Sequence, residues 1–149
     1  MALKSPFLIE SMERGFIHQC TDLEALDHYL LTEYNPYVYI GVDATAKSLH
    51  VGNLVGIMWL RLAQKHGIRP IVLLGGGTTQ IGDPSGTNDM RKILDKSVIL
   101  DNLTGFHTTY HRFLTIGSKE QDGIIVNNND WLSHLNYIDF LINKYKLYL

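Results

Sequence analysis

Apolar positions along the chain fall into two rhythms, and the change from one to the other marks the predicted elements. Phe7, Leu8, Ile9 and Met12 follow Ser5-Pro6, a cap residue with proline at the first helical position, and Gly15 offers a left-handed stop. Leu23, Leu26, Leu30 and Leu31 share a helical face behind Thr21 and Glu24, which have capping-box spacing, and Pro36 blocks continuation. The rhythm then shortens. Tyr37-Val38-Tyr39-Ile40-Gly41-Val42 is aromatic and β-branched, which predicts a strand ending at Asp43. A helix is expected from Ser48 to about His66, with Val55, Met58, Trp59, Leu62 and Ala63 on one face and Gly67 as its stop. Pro70 to Leu74 is an unbroken apolar run that suits a strand covered on both faces, and Gly75 to Gly86 after it is glycine-rich. Further helices are expected over about Asn88–Leu94, Asp95–Leu114 and Leu135–Ile142, with a short strand at Ile124-Ile125-Val126. Strands alternating with helices predict an α/β domain with a parallel sheet flanked by helices.

Composition narrows the class. At 149 residues, with 45% hydrophobic and 19% charged, the chain is long enough for one core and too apolar for disorder. Thirteen basic against fifteen acidic residues give −2, which excludes a polybasic tail. The single cysteine, Cys20, has no partner for an internal disulfide, and no apolar run approaches the roughly 20 residues of a membrane span. Met1 to Pro6 carries no charged region followed by an apolar one, so the expectation is a cytoplasmic protein away from membranes. His107 and His111 stand one helical turn apart, but without a nearby Glu or Cys they read as surface residues, and no metal site is expected. Tyr29, Tyr34, Tyr37 and Trp59 are expected as core or interface aromatics.

Chemistry concentrates in three polar clusters, each just after a predicted strand: Asp43–Asn53, Thr78–Ser85 and Asn127–Asp130. Ligands of open parallel sheets bind beyond the carboxyl ends of the strands, so the three are expected to face one crevice. In the first, His50 and Asn53 stand three residues apart at a helix start. Free N–H groups there favour an anion, and Gly52 leaves room for a phosphate. In the second, Gly75-Gly76-Gly77 marks a close approach of ligand or backbone, and Asp83 in Gly82-Asp83-Pro84-Ser85-Gly86 can accept from an amine. Taken alone, each cluster is also what a polar cap or an ordinary turn would look like.

Taken together they resemble a known family. Tyr39-Ile40-Gly41-Val42-Asp43-Ala44-Thr45-Ala46-Lys47-Ser48-Leu49-His50-Val51-Gly52-Asn53 is similar to the first signature block of bacterial tyrosyl-tRNA synthetases, which are class I enzymes. Ile81 to Gly86 with Arg91 resembles their second block and Asn127-Asn128-Asn129-Asp130-Trp131 a third, in the same order. The resemblance implies a Rossmann-like fold that joins tyrosine and ATP, with Mg²⁺, into tyrosyl-adenylate and pyrophosphate, then passes the tyrosyl group to tRNA-Tyr. The attacking carboxylate is already deprotonated at neutral pH, so the first step calls for alignment and charge stabilisation rather than a general base. The resemblance implies that His50 and Asn53 grip phosphate, Thr45 contacts the γ-phosphate side and Arg91 steadies pyrophosphate. By the same comparison Tyr39 contacts the substrate phenol and Thr78 and Asp83 hold its α-amino end. Asp43 then lies between amino acid and nucleotide, and Gly41 and Gly52 keep backbone near the adenylate. Rejecting phenylalanine requires a polar partner for the phenol, a discrimination for which tyrosyl-tRNA synthetases are themselves the standing example.

The sequence departs from that pattern in places. Asn53 stands where the family usually has histidine, and its amide can donate from nearly the same place. Thr87 replaces a common lysine, and losing one charge-stabilising donor costs about 10²–10³ in rate. Ala44 replaces a common proline, with an effect expected only on loop stiffness. Family members are more than twice as long, so the chain is expected to be an N-terminal segment, 1–149, of an incomplete catalytic domain. By the resemblance the Lys-Met-Ser-Lys-Ser-like loop and the anticodon-binding domain are expected to be missing from this segment, a homodimer is among the expected assemblies, and turnover alone is expected to be weak or absent. Two alternatives stand beside this reading: a small nucleotidylyltransferase with a His-x-Gly-His-like helix start, and a non-catalytic remnant.

Overall fold

The computed structural model describes residues 2–81, 94–136, 138–140 and 142. Its elements run α1 (Pro6–Glu13), α2 (Leu23–Thr32), β1 (Tyr37–Asp43), α3 (Val51–Lys65), β2 (Arg69–Gly75), α4 (Thr78–Ile81), α5 (Lys96–Phe113), β3 (Ile124–Asn127) and α6 (Asn129–Leu132). The three strands form a parallel sheet in the order β1-β2-β3, with Tyr37 opposite Arg69 and Ile71 opposite Ile124. Pro70, which lacks a ladder donor, sits at the start of the central strand before its pairing with β3 begins.

Two details of the local expectations change. The α2 cap is Asp22, not Thr21: its carboxylate accepts the Ala25 N–H at 2.9 Å, the same three-residue spacing moved one position along the chain. The helix expected from Ser48 starts at Val51, because His50 takes the cap position and the residues before it stay in a loop. Gly15 and Gly67 do end their helices at positive φ, 71° and 76°. The α4 and α6 turns were not anticipated; four residues each give no helical period to read. Residues 138–140 and 142 are helical as expected, whereas Leu135 and Asn136 are not. The helix expected over Asn88–Leu94 lies almost wholly outside the described residues, and Leu94 is not helical.

The core lies on one face of the sheet. Val72 and Leu74 of β2 pack with Ile57 and Leu60 of α3 and with Ile99, Leu103, Phe106 and Tyr110 of α5. Burial raises the Tyr110 phenol above its ordinary pKa. A second cluster joins Phe7 and Leu8 of α1 to Leu62, Ala63 and Ile68, with the Phe7 and Trp59 rings 5.5 Å apart. Of the aromatics expected in a core or an interface, Trp59 packs against both core clusters, whereas Tyr29, Tyr34 and Tyr37 are exposed. Asp27 anchors the N-terminal segment by accepting the Ser5 N–H at 2.8 Å, and Glu10 ties α1 to the end of α3 through Lys65 and His66, both at 2.8 Å. Both large helices therefore sit on the same side, and their starts lie at the carboxyl edge of the strands.

Candidate functional site

At that edge the chain must turn away from β1 and from β2 within a few residues of each other, and the polar side chains there hold both turns together. Thr78 donates its hydroxyl to Asp43 Oδ1 at 2.7 Å, and Asn128 Nδ2 donates to the same hydroxyl at 3.0 Å. Asn128 Oδ1 accepts the Gly77 N–H at 2.7 Å, while Asn127 Oδ1 accepts those of Gly76 and Asn129. Three segments far apart in sequence are thus linked by direct hydrogen bonds. They surround a cleft of about 230 Å³ lined by Gly41, Asp43, Leu73, Gly75, Thr78 and Asn128. Tyr39 stands two residues before Gly41, so strand alternation puts it on the same face, and it is 67% exposed. A larger groove of about 450 Å³ along α5 and β3 has a mostly aliphatic and threonine lining, with His107 and Asp130 as its titratable groups.

The glycines serve this linkage. A Cβ on Gly75 would collide with Asp43 Oδ1 and one on Gly76 with the Asn127 amide, so it is protein side chains that crowd Gly75 and Gly76. Gly41 is different: an added Cβ would meet only Leu73, at ordinary contact distance, and its outer side faces the cleft.

The loop from β1 to α3 is pinned from below. Ala44 is fully buried; its N–H donates to Thr79 Oγ1 at 2.9 Å and its carbonyl accepts from Asn102 Nδ2 at 2.8 Å. Asn102 is 1% exposed and its Oδ1 has no partner among the described residues. Gly105 of α5 lets the Lys47 carbonyl approach, since a Cβ there would lie 2.6 Å from it. Above this floor Thr45 is exposed.

At the start of α3, His50 and Asn53 form a reciprocal cap. His50 Nδ1 accepts the Gly52 N–H at 3.0 Å, and Asn53 Oδ1 accepts the His50 N–H at 3.0 Å. The cap fixes what each side chain has left. With Nδ1 accepting, the ring proton sits on Nε2, and with Oδ1 accepting, the Asn53 NH₂ is free. Two outward donors therefore stand at a helix N-terminus, where the dipole favours negative charge. Gly52 is bare for the sake of this cap: a Cβ would lie 2.9 Å from the His50 ring.

Among the expected residues, the structure brings Asp43, Thr78 and Gly41 to one cleft with Tyr39 on its face, and joins His50, Gly52 and Asn53 in a separate cap at the start of α3. No hydrogen bond links the two groups among the described residues. Asp83 and Arg91, with Thr87, lie outside the described residues. Asn127 and Asn128 were visible only as part of a block, and Thr79 and Asn102 were not picked out. For Asn102 the signal was present, a carboxamide in the apolar stripe that buries Ile99, Leu103 and Phe106.

The decisive comparison concerns the whole chain. A family model of class I tRNA synthetases, the W and Y kind, matches residues 32–148. The chain belongs to this family. It is 51% identical over 140 residues to the tyrosine–tRNA ligase of Rhodospirillum rubrum, covering 94% of this chain and 33% of that one. With the Ehrlichia canis tyrosine–tRNA ligase it shares 50% over 143 residues, 96% of this chain and 34% of the relative. Its fold matches a C-terminally truncated mitochondrial tyrosyl-tRNA synthetase of Coccidioides posadasii with a TM-score of 0.74 at 29% identity, over 91% of this chain and 39% of that one. The chain thus spans about a third of the length of the curated relatives it matches. Family membership also favours the synthetase reading over the small nucleotidylyltransferase. No described helix is long and apolar enough to cross a membrane.

Proposed function

We propose that this chain is the nucleotide- and tyrosine-binding segment of a tyrosine–tRNA ligase, acting in the cytoplasm on tyrosine, ATP and tRNA-Tyr. The observation that carries this reading is the Asp43–Thr78–Asn128 linkage, which draws the carboxyl ends of all three strands to one cleft, with the His50–Asn53 cap opening the helix that follows β1. In this reading His50 Nε2–H and the Asn53 NH₂ donate to phosphate oxygens, supported by the helix dipole. Charge that develops as the α-phosphorus is attacked then meets donors already held in place. Thr45, exposed on the connecting loop, reaches the outer phosphates, with Arg91 steadying pyrophosphate. Tyr39 turns its hydroxyl toward the substrate phenol. Thr78 donates its hydroxyl hydrogen to Asp43 in a hydrogen bond and so presents an oxygen lone pair to the α-ammonium group, alongside Asp83. Gly41 allows the adenylate to lie against β1, while Gly52 serves the site indirectly by admitting the His50 ring that forms the cap. Mg²⁺ bound with the triphosphate would neutralise part of its charge. Such ions are held mainly by phosphate oxygens and water with one or two carboxylates, a demand that Asp43 alone among the described cleft residues can meet.

At about 230 Å³ the cleft falls below the roughly 300–1,000 Å³ of a complete small-molecule site, which supports a partial site rather than a finished one. The test is tyrosine-dependent exchange of pyrophosphate into ATP. The chain alone is expected to give background, and co-expression with the remaining two thirds of the Rhodospirillum rubrum ligase to restore exchange. No restoration in a correctly associated complex would make the chain a non-catalytic remnant. Robust exchange by the chain alone would contradict the reading of a partial site.

A further inference from the structure

Two residues of α5 cost that helix stability, and they stand on one face of it. Gly105 lies in the middle of an 18-residue helix, where only proline is less favourable than glycine. Asn102, three residues earlier, puts a carboxamide into the apolar stripe of Ile99, Leu103 and Phe106, and its Oδ1 is buried with no partner among the described residues. A helix built for its own stability would carry leucine and alanine at these positions. What the two residues share is the loop between β1 and α3. Asn102 Nδ2 donates to the Ala44 carbonyl at 2.8 Å, and Gly105 makes room for the Lys47 carbonyl, which a Cβ would approach to 2.6 Å. The loop has little of its own to hold it. Thr45, Ala46, Lys47 and Ser48 are all exposed, and no hydrogen bond joins them to one another among the described residues. Thr79 ties its β1 end through the Ala44 N–H and the His50–Asn53 cap closes its α3 end, so the stretch between rests on α5. Local rules broken together around one segment mark a functional constraint on that segment.

We propose that Asn102 and Gly105 are positioning residues: they form a seat on α5 that holds residues 44–47 in one conformation and so presents Thr45 to the outer phosphates of ATP. The proposal rests on the functional reading above and adds to it the part of the molecule that fixes the phosphate loop. A loop already seated need not be ordered by its ligand, so loss of the seat weakens ATP. Tyrosine is unaffected, because Tyr39 and Thr78 stand on β1 and α4 rather than on the loop. The test titrates the full 149-residue chain with Mg²⁺-ATP and, separately, with tyrosine, following backbone amide shifts in wild type, Asn102→Leu and Gly105→Ala. Asn102→Leu exchanges one buried unpartnered acceptor, its own Oδ1, for another, the Ala44 carbonyl. Gly105→Ala gains helix propensity while its methyl group displaces the Lys47 carbonyl. Both variants are therefore expected to melt within about 4 °C of wild type. In both, the order parameters of the Thr45, Ala46 and Lys47 amides are expected to fall from about 0.85 to below about 0.6. Affinity for ATP is expected to fall about tenfold, with that for tyrosine held within about twofold. Order parameters that stay high in both variants would overturn the proposal, as would equal weakening of the two ligands, or a large fall in melting temperature with ATP affinity unchanged. Any of these leaves the functional reading standing. A wild-type chain that takes no ATP at the His50–Asn53 cap would instead overturn that reading, and the proposal with it.

Discussion

Ala44 shows how one residue type dictates another. Where the family resemblance leads one to expect proline, the present chain has a buried N–H that must find an acceptor, and Thr79 Oγ1 supplies it while donating its own hydrogen bond to the Gly75 carbonyl. The replacement therefore alters more than loop stiffness, because it makes the loop depend on a hydroxyl. Thr79→Val, nearly isosteric, strands that donor and is expected to cost about 1–3 kcal/mol. In a chain of this size that is a fall of roughly 2–4 °C in melting temperature per kcal/mol, readable by calorimetry. Adding Ala44→Pro removes the donor itself and is expected to recover most of the loss. A loss that persists in the double variant would mean that the hydroxyl matters for some other reason.

Between elements, the contacts that matter are those that set the turns after β1 and β2. Gly75→Ala places a methyl group against Asp43 and 2.7 Å from Thr78 Oγ1, so it is expected to break the Asp43–Thr78 bond and destabilise by about 1–3 kcal/mol. Shifted amide signals for Asp43, Thr78 and Asn128 would confirm it. Docking of α1 on α3 carries its own pH signature. Hydrogen bonds from Lys65, then His66, lower the Glu10 carboxyl from 4.5 to about 2. Its contribution is therefore whole above about pH 4.5 and fades as pH falls toward 2. Glu10→Gln is expected to flatten stability against pH across that window in acid-denaturation curves. Much of this level was legible beforehand. The strands were readable because they are unbroken apolar runs, and α3 and α5 because their buried positions keep the helical period. What escaped was set by single hydrogen bonds rather than by periodicity: Asp22 capping α2, His50 delaying α3, and Asn128 bridging to Thr78. The roles carried by glycines were also misassigned in part. A run of three after a strand reads equally as room for a ligand or for a side chain, and at Gly75 and Gly76 the occupants are Asp43 and Asn127.

On the scale of the whole molecule, one βαβαβ unit has a well-packed helical face and, among the described residues, no helix packed on the opposite face, with its polar chemistry at the carboxyl edge between them. Such a unit can position donors yet encloses its ligand on one side only, so affinity is expected to be low and location specific. The most direct test is backbone amide shift mapping of this chain with a non-hydrolysable tyrosyl-adenylate analogue at concentrations on the order of a millimolar. The account predicts changes confined to Gly41, Asp43, Gly75–Thr78, Asn128 and the His50–Asn53 cap, with no change along the α5–β3 groove. Changes clustered in that groove, or none at the carboxyl edge, would contradict it.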